Sequence, residues 1–216
     1  MQKKNIEIPL SNNVLNGELT LVDNPIGIAI FAHGSGSSRF SKRNQLVAKI
    51  LNEQKISTLL FDLLTNEEEE LDKETLEYRF NIQLLSKRLL TATKWIQSNP
   101  NIKNLKIGYF GASTGAAAAL IAASSIPNEI KAIVSRGGRP DLANSYLSQI
   151  SSPTLLIVGE LDFTVLKLNE EAYNQINCEK DIKIIKNATH VFEEGHSLEE
   201  VAMLASKWFE KYFLSK

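Results

Sequence analysis

The sequence has few of the features that would anchor a protein in a membrane or carry it through a secretory route. It holds one cysteine, Cys178, so no disulfide can form within the chain, and a reducing compartment is the simpler expectation. Its longest run of small apolar residues, 116–123, falls well short of the ~20 residues that a membrane-spanning helix needs. Residues 1–10 lack the apolar stretch of a secretory signal. We therefore expect a cytoplasmic protein that does not bind a membrane.

An excess of charge of either sign is also missing. The chain contains 24 Lys and Arg against 25 Asp and Glu, a formal net charge of −1, so no overall field favours binding to nucleic acid. Hydrophobic residues make up 43% and charged residues 23%, which is ordinary for a globular protein. No internal repeat is visible, and 216 residues suit one well-buried core. The whole chain, 1–216, is thus predicted to form a single domain.

Short apolar stretches alternate with helical patterns along most of the chain. Residues 6–10 and 15–22 flank a turn signal at 11–13 and are typical of an antiparallel hairpin. Later strands are predicted at residues 26–32, 58–64, 107–110, 133–135, 154–158 and 182–185. Amphipathic helical patterns fill most of the intervals between them. This alternation predicts an α/β fold: a mostly parallel sheet with an N-terminal antiparallel hairpin and helices on both faces.

Three of the predicted helices have a candidate capping residue at their start. Ser41 precedes the first helical pattern and can cap it. Asp141 is expected to cap a short helix that contains Leu142 and Tyr146. Ser197, with Glu200 three residues later, has the spacing of a capping box at the start of the last helix.

The strongest motif is G-x-S-x-G at residues 111–115, between a predicted strand and an alanine-rich helix. In this context the pattern is that of a nucleophile elbow, a sharp turn that holds Ser113 in a strained conformation at a helix N-terminus. The alternative is an ordinary turn whose small residues serve packing. Because ligands of such sheets bind beyond the carboxyl ends of the strands, the turn lies where a site is expected. Ser113 is therefore the predicted nucleophile.

The chain offers only three histidines as a base that could remove the proton of this serine. In folds with this elbow the acid and the base follow the serine along the chain, which argues against His33. His196 lies beside the start of the last helix and suits a surface or capping role. His190 follows the last predicted strand, where the base is expected, and is the predicted base.

The acid that orients the base is expected in a loop after a late strand. Asp162 fits best, because it follows the strand at 154–158 in the stretch GELD. Asp141, past the preceding strand, is the rival, although its place after Pro140 also suits a helix start. Glu160 would point from the wrong part of its turn. Asp162 is the predicted acid, and Asp141 remains the alternative.

Two backbone amides are expected to hold the negative charge that develops on a substrate carbonyl oxygen. One belongs to Thr114, the residue after the nucleophile, and the other to Gly34 or Ser35 in the loop after strand 26–32. The glycines of this loop, HGSGSS, let its backbone approach a substrate. The loop lacks the G-x-x-x-x-G-K-[ST] spacing of a nucleotide-binding loop, so an oxyanion hole is the favoured interpretation.

These motifs resemble one branch of a large hydrolase superfamily. HGSGSS, GASTG, GELD and ATH, in chain order, are similar to the motifs of the dienelactone hydrolase-related branch of the α/β-hydrolases, and the resemblance covers residues 27–213. It implies the α/β-hydrolase fold, no metal, no cofactor and a small-molecule acyl substrate. It also implies hydrolysis of an ester, lactone or thioester through an acyl-enzyme. Dienelactone hydrolase itself carries cysteine as the nucleophile, whereas this chain has Ser113.

Arginines near the expected site could recognise part of the substrate. Arg136 and Arg139 follow the same predicted strand, and Arg39, with Arg43 nearby, lies beyond the glycine-rich loop. A guanidinium binds carboxylate or phosphate through a planar fork, which makes Arg136, Arg139 and Arg39 candidate substrate-binding residues. The alternative is that these arginines pair with loop carboxylates such as Asp141.

Two stretches bear on what covers the site. The acidic run 67–70, within residues 66–80, is typical of a solvated loop or helix face, and a mobile flap beside the pocket is the alternative. The stretch between the strands at 133–135 and 154–158 is too short for the large lid that hydrolases of this fold often insert there. Interfacial lipase action is therefore not expected.

The candidate residues predict a serine hydrolase of small acyl substrates, with Ser113, Asp162 and His190 as its triad. The competing interpretation is a non-catalytic binding protein with the α/β-hydrolase fold. Such proteins usually lack at least one triad member, whereas this chain keeps all three. We expect a monomer or a homodimer.

Overall fold

A β-hairpin opens the chain in the computed structural model, which describes residues 1–215. Its strands β1 (Gln2–Pro9) and β2 (Val14–Leu21) pair antiparallel. Six more strands follow: β3 (Gly27–Ala32), β4 (Ile56–Phe61), β5 (Ile107–Ala112), β6 (Ile130–Arg136), β7 (Thr154–Gly159) and β8 (Lys180–Ile185). All eight form one sheet in the order β1-β2-β4-β3-β5-β6-β7-β8.

Most of this sheet is parallel. The hairpin strand β2 pairs antiparallel with β4, and the strands from β4 to β8 in the sheet order pair parallel to one another. The strands β3, β4, β5 and β7 are buried along their whole length. Their nearly continuous apolar sequences follow from this, because a parallel strand is covered on both faces.

Helices lie on both faces of the sheet. They are α1 (Lys42–Glu53), α2 (Asn66–Thr75), α3 (Ile82–Ser98), α4 (Thr114–Ser125), α5 (Phe163–Gln175) and α6 (Ser197–Leu214), with a 3-10 segment at Pro140–Gln149. One core cluster packs α3 and α4 on the sheet through Leu89 and Leu120, and the other packs α1 and α6 through Leu51 and Phe209. This is the predicted α/β-hydrolase fold.

Within the described residues, no large insertion covers the edge of the sheet at which its parallel strands end. The connection from β6 to β7 contains the 3-10 segment and no other helix within the described residues. The sequence prediction of a fold without a large lid is therefore confirmed. Across residues 1–215, no helix combines the length and apolar character needed to cross a membrane.

The helix starts agree with the sequence only in part. Ser41 caps α1, and its side chain accepts a hydrogen bond from the amide of Asn44. The predicted capping box of the last helix is wrong: His196 is the N-cap of α6, and Ser197 is already its first helical residue. The helical turn begins early because the Ser197 amide donates to the carbonyl of Glu194, 3.0 Å away.

The predicted capping role of Asp141 is also wrong. The 3-10 segment begins at Pro140, so Asp141 lies inside it, and Arg139 occupies the cap position. The Arg139 guanidinium binds both carboxylate oxygens of Asp141, at 2.9 and 2.8 Å. This ion pair takes the carboxylate away from the amides that a capping residue would bind.

Candidate active site

The turn between β5 and α4 holds Ser113 in an uncommon backbone conformation. Its φ is 50° and its ψ is −122°, in a region that costs a non-glycine residue ~1–3 kcal/mol. Neighbouring backbone fixes this conformation: the Ser113 amide donates to the Arg136 carbonyl at 3.2 Å, and the Arg139 amide donates to the Ser113 carbonyl at 3.0 Å. Ser113 therefore lies between the end of β5 and the N-terminus of α4, which is the geometry expected of a nucleophile elbow.

The two glycines of the motif are needed for close packing. A Cβ atom on Gly115 would lie 2.2 Å from the Ala32 carbonyl oxygen, and one on Gly111 would lie 2.4 Å from the Ala116 Cα. Such distances leave no room for any side chain. The G-x-S-x-G spacing therefore lets α4 start directly against β3 and β5, with Ser113 at the apex of the turn.

His190 and Asp162 come from different loops and meet at the same edge of the sheet. Asp162 is the N-cap residue of α5, just past β7, and His190 lies in the loop after β8. The His190 Nδ1 atom is 2.6 Å from Asp162 Oδ2, with the carboxylate side chain 15% exposed and the imidazole 42% exposed. A hydrogen bond from Nδ1 to the carboxylate leaves Nε2 free to accept a proton.

The loop that carries His190 packs against the residues at the end of β6, which are also bonded to the serine turn. A Cβ atom on Gly137 would lie 3.1 Å from the His190 carbonyl oxygen and 3.6 Å from its Cε1 atom. Because the amide of Ser113 bonds Arg136, residues 136–137 lie between the serine turn and the histidine loop. The loop is held further by Glu194, whose carboxylate accepts the amide of Thr189 at 3.1 Å. This hydrogen bonding lowers the pKa of Glu194.

The other candidate acids have different partners. Asp141 is bound by Arg139, and Glu160 accepts the backbone amide of Asn187 at 2.9 Å. Of the three carboxylates considered from the sequence, Asp162 is the one that the structure places against His190. Its catalytic role remains a prediction.

The other two histidines have structural surroundings. His33 is buried between the loops after β3 and β4, with Nδ1 2.9 Å from the Gly34 carbonyl and Nε2 accepting the Leu63 amide at 3.1 Å. Burial lowers the pKa of His33 and keeps the ring neutral. His196, the N-cap of α6, is 95% exposed. Neither ring contacts the serine turn through these bonds.

The loop after β3 contacts the start of α4, and these two segments carry the amides predicted to form the oxyanion hole. The Ser35 amide donates to the Thr114 hydroxyl, 2.9 Å away, a contact that sequence reasoning missed because the two residues are far apart in the chain. A Cβ atom on Gly34 would lie 3.1 Å from Ser113 Cβ and 3.8 Å from its Oγ. The amide of Thr114 starts α4, where the first turn has no intrahelical acceptor. Gly34 and Thr114 thus lie next to Ser113, while the amide of Ser35 is bonded to the Thr114 hydroxyl. The role of these residues as an oxyanion hole remains a prediction.

The three candidate substrate-binding arginines differ in their partners. Arg39 donates its amide to Asp62 at 2.8 Å and pairs its guanidinium with the same carboxylate, and Arg139 is held by Asp141. For these two, the structure shows the carboxylate pairing that was the alternative interpretation. Arg136 is buried, and its Nη2 lies 3.4 Å from the Asn44 side-chain oxygen.

Residues 66–80, considered above as a mobile flap, form helix α2 and a turn that is held by the carboxylate of Asp72. Thr65 and Glu68 form a capping box at the start of α2. The Asp72 carboxylate, 1% exposed, accepts the backbone amides of Tyr78 and Arg79 at 2.7 and 2.9 Å and also pairs with the Arg79 guanidinium. The acidic run therefore lies on a helix that is fastened at both ends.

Comparison with known proteins places this architecture in a family. The model of the dienelactone hydrolase family matches residues 40–213. The crystal structure of a dienelactone hydrolase from Anabaena variabilis is 50% identical, superposes with a TM-score of 0.96, and is matched over 98% of each chain. An esterase from Pyrococcus furiosus, 21% identical with a TM-score of 0.78 over 98% of this chain and 93% of the esterase, shares the fold.

Two curated proteins of Mycobacterium tuberculosis are 50% identical over 193 residues and carry a provisional phosphoribosyl transferase name. The match covers 89% of this chain but 43% of each relative, so the chain spans less than half the length of these curated relatives. The match to the family model and the identity to the Anabaena protein both extend over most of the chain. The chain belongs to the dienelactone hydrolase family.

Proposed function

We propose that the protein is a serine hydrolase of small acyl substrates, an ester, lactone or thioester. The observation that carries this proposal is the strained Ser113 at the start of α4, on the edge of the sheet where Asp162 holds His190. A serine without a base is a poor nucleophile, and these three residues supply the nucleophile, the base and the group that orients the base. Membership of the dienelactone hydrolase family supports hydrolysis as the type of reaction.

The first half of the proposed reaction forms an acyl-enzyme. Ser113 Oγ attacks the substrate carbonyl carbon while His190 Nε2 takes the hydroxyl proton. The amides of Thr114 and Gly34 hold the oxyanion of the tetrahedral intermediate, because the Ser35 amide already donates to the Thr114 hydroxyl. His190 then gives its proton to the leaving group as the bond between the acyl carbon and that group breaks.

The second half returns the enzyme to its starting state. A water molecule attacks the acyl carbon and passes a proton to His190, which returns it to Ser113 Oγ as the acid leaves. Asp162 keeps Nδ1 as the protonated nitrogen of the neutral ring and stabilises the imidazolium that forms in both halves. Apart from Ser113 and His190, no group of the protein has to gain or lose a proton in this scheme.

The phosphoribosyl transferase name of the curated relatives does not extend to this proposal. That name belongs to proteins of which 43% of the length matches this chain. The dienelactone hydrolase family model matches residues 40–213, which include Ser113, Asp162 and His190.

A non-catalytic binding protein is the competing class. Such a protein has no need to keep a serine in a costly backbone conformation at the same edge of the sheet as an oriented imidazole.

Ser113→Ala tests the proposal. We expect kcat on a short-chain ester to fall by roughly 10³ to 10⁶, as for other triad serines, and labelling by a fluorophosphonate probe to disappear. Ser124→Ala is the matched control, because its hydroxyl donates to the Ile121 carbonyl at the far end of α4 and faces no part of the site. Retained ester hydrolysis in Ser113→Ala, or a wild-type protein that neither labels nor hydrolyses any acyl substrate, would refute the assignment.

A further inference from the structure

The loop that carries His190 follows an unusual backbone path. Between the end of β8 and the start of α6, three residues have positive φ: Asn187 at 56°, Phe192 at 59° and Gly195 at 55°. Phe192 has the least favourable of these conformations, because its Cβ crowds the backbone there, and its side chain is buried. A residue stays in such a conformation only where surrounding contacts fix it. The contacts of this loop therefore decide where His190 lies.

The first half of this loop is fixed by the loop after β7. The amide of Asn187 donates to the Glu160 carboxylate at 2.9 Å, and the amide of Leu161 donates to the Ala188 carbonyl, also at 2.9 Å. Because β7 and β8 are neighbours in the sheet, these bonds hold the loop of the proposed acid against the loop of the proposed base. They extend as far as residue 188 and use neither donor of Thr189.

Thr189, directly before His190, gives both of its donors to one carboxylate. Its amide donates to Glu194 Oε2 at 3.1 Å, and its hydroxyl donates to Glu194 Oε1. The Phe192 amide donates to the Thr189 carbonyl at 3.3 Å and closes the turn between them. The two bonds from Thr189 lower the pKa of Glu194, which is therefore ionised at neutral pH and a strong acceptor. Glu194 thus binds the residue next to the proposed base at two points.

The backbone of Glu194 is joined to a packed helix. Its carbonyl accepts the amide of Ser197 at 3.0 Å, and Ser197 is the first residue of α6. Helix α6 buries Val201 and Phe209 in the core cluster on one face of the sheet. Because such a core is closely packed, it holds the helix and the residue before it in one position. The carboxylate of Glu194 therefore connects Thr189 to a rigid part of the molecule.

The imidazole of His190 has few contacts of its own to hold it. Among residues 1–215 its ring makes one hydrogen bond, from Nδ1 to Asp162, and 42% of the side chain is exposed. The proposed reaction needs Nε2 within hydrogen-bond distance of Ser113 Oγ, about 2.6–3.2 Å. A displacement of about 1 Å from such a geometry can lower a rate roughly 100-fold. The position of the backbone at residues 189–190 is therefore expected to control the rate.

We propose that Glu194 is a positioning residue for hydrolysis: by binding both donors of Thr189, it holds His190 where Nε2 can take the proton of Ser113. The inference rests on the proposed hydrolase function and adds a residue to it. Glu194 is not a catalytic residue in this scheme, because it acts on the reaction only through Thr189 and His190. Its effect is on kcat, since proton transfer depends on the place of the imidazole.

Steady-state kinetics on a short-chain ester test the proposal, with kcat corrected for the folded fraction measured by circular dichroism. Glu194→Ala should lower kcat by roughly 10- to 100-fold and leave KM nearly unchanged. Thr189→Val loses one of the two bonds and should lose less, while Thr189→Ser keeps the hydroxyl and should retain most of the wild-type kcat. Glu193→Gln is the matched control, because that neighbouring carboxylate is 65% exposed and pairs with Arg43 of α1. It should keep the wild-type kcat and KM.

A purely structural role for Glu194 gives a different pattern. If the carboxylate only stabilised the fold, Glu194→Ala would have a lower melting temperature and the wild-type kcat in its folded fraction. That result would overturn the proposal. So would a Thr189→Ser variant as slow as Thr189→Val, or a loss of kcat in Glu193→Gln that is comparable to the loss in Glu194→Ala.

Crystal structures of the wild type, Glu193→Gln and Glu194→Ala separate this inference from the hydrolase function. We expect the His190 ring to lie beside Asp162 in the first two proteins, and to lie elsewhere or in several orientations in Glu194→Ala. If the ring moves in that variant but the wild type hydrolyses no ester, the hydrolase function fails while the positioning by Glu194 stands. If the wild type hydrolyses the ester and the ring keeps its place in Glu194→Ala, the positioning role alone fails.

Discussion

Asp162 and Asp141 illustrate how similar residues acquire different roles through their neighbours. Each follows a buried strand at the same edge of the sheet, and each sits at or near the start of a helical segment. Asp162 meets the imidazole of His190, whereas Asp141 meets the guanidinium of Arg139. A carboxylate that holds an imidazole fixes its tautomer, while one that holds an exposed arginine contributes ~0–1 kcal/mol to stability.

Replacing each of these carboxylates by its amide separates the two roles. We expect Asp162→Asn to fold normally but to lower kcat on the order of 10⁴-fold, because asparagine favours the wrong tautomer of His190. Asp141→Asn should retain most of the activity. Circular dichroism and steady-state kinetics on the same ester measure both effects. If Asp141→Asn is the more damaging change, the choice of acid is wrong.

At the scale of the elements, His33 joins the ends of two neighbouring strands. Its ring links Gly34, after β3, to Leu63, after β4, and so steadies the loop that approaches Ser113. Nε2 can accept the Leu63 amide only when it carries no proton. This bond and the burial of the ring, which lowers the pKa of His33, both require the neutral form.

This arrangement predicts a dependence of stability on pH. The unfolded chain titrates near the ordinary histidine value of 6.5, above the lowered pKa of the folded state. Below pH 6.5 the unfolded state therefore binds protons first, and the free energy of unfolding should decrease as the pH falls towards the folded-state pKa. Above pH 6.5 the contribution of His33 is fully present.

Urea unfolding of the wild type and His33→Gln between about pH 5 and pH 8 measures this contribution. The variant should lose part of the slope, because glutamine can accept the Leu63 amide but does not titrate. His196→Gln, which changes a ring that is 95% exposed, should keep the wild-type slope. Identical slopes in all three proteins would show that the buried ring does not control acid stability.

At the scale of the molecule, the candidate site lies at an uncovered edge of the sheet. The connection between β6 and β7 holds only the 3-10 segment among the described residues, and α2 is fastened by Asp72 and Glu68 rather than free to swing. The imidazole of His190 is 42% exposed. We therefore expect a substrate to reach Ser113 without a large conformational opening.

This openness predicts the absence of interfacial activation. With a short-chain ester, the rate should follow one saturation curve through the concentration at which the ester forms droplets. A lipase with a closed lid, assayed alongside as the control, shows a rise in rate at that point. A comparable rise in this protein would mean that part of the chain moves over the site.

The elements and motifs that depend on near neighbours could be predicted from the sequence. The eight strands and the fold follow from apolar runs and helical patterns, since burial on one or two faces dictates which residues each element contains. The elbow also is local: the strand, Gly111, Ser113, Gly115 and the helix are adjacent in the chain, and steric limits on the glycines dictate the turn. Ser41 needed only the amide of Asn44, three residues away, to act as a cap.

Where several partners compete for one group, the outcome required the packed structure. The start of α6, the pairing of Asp141 with Arg139, and the bond from Ser35 to Thr114 each depend on which competing partner lies nearer in space. Above all, the sequence offered three arginines, Arg136, Arg139 and Arg39, as candidates for substrate binding. Folding brings carboxylates to Arg39 and Arg139 and leaves Arg136 buried with none, because hydrogen bonds and charges pair by distance in three dimensions, which spacing along a chain does not specify.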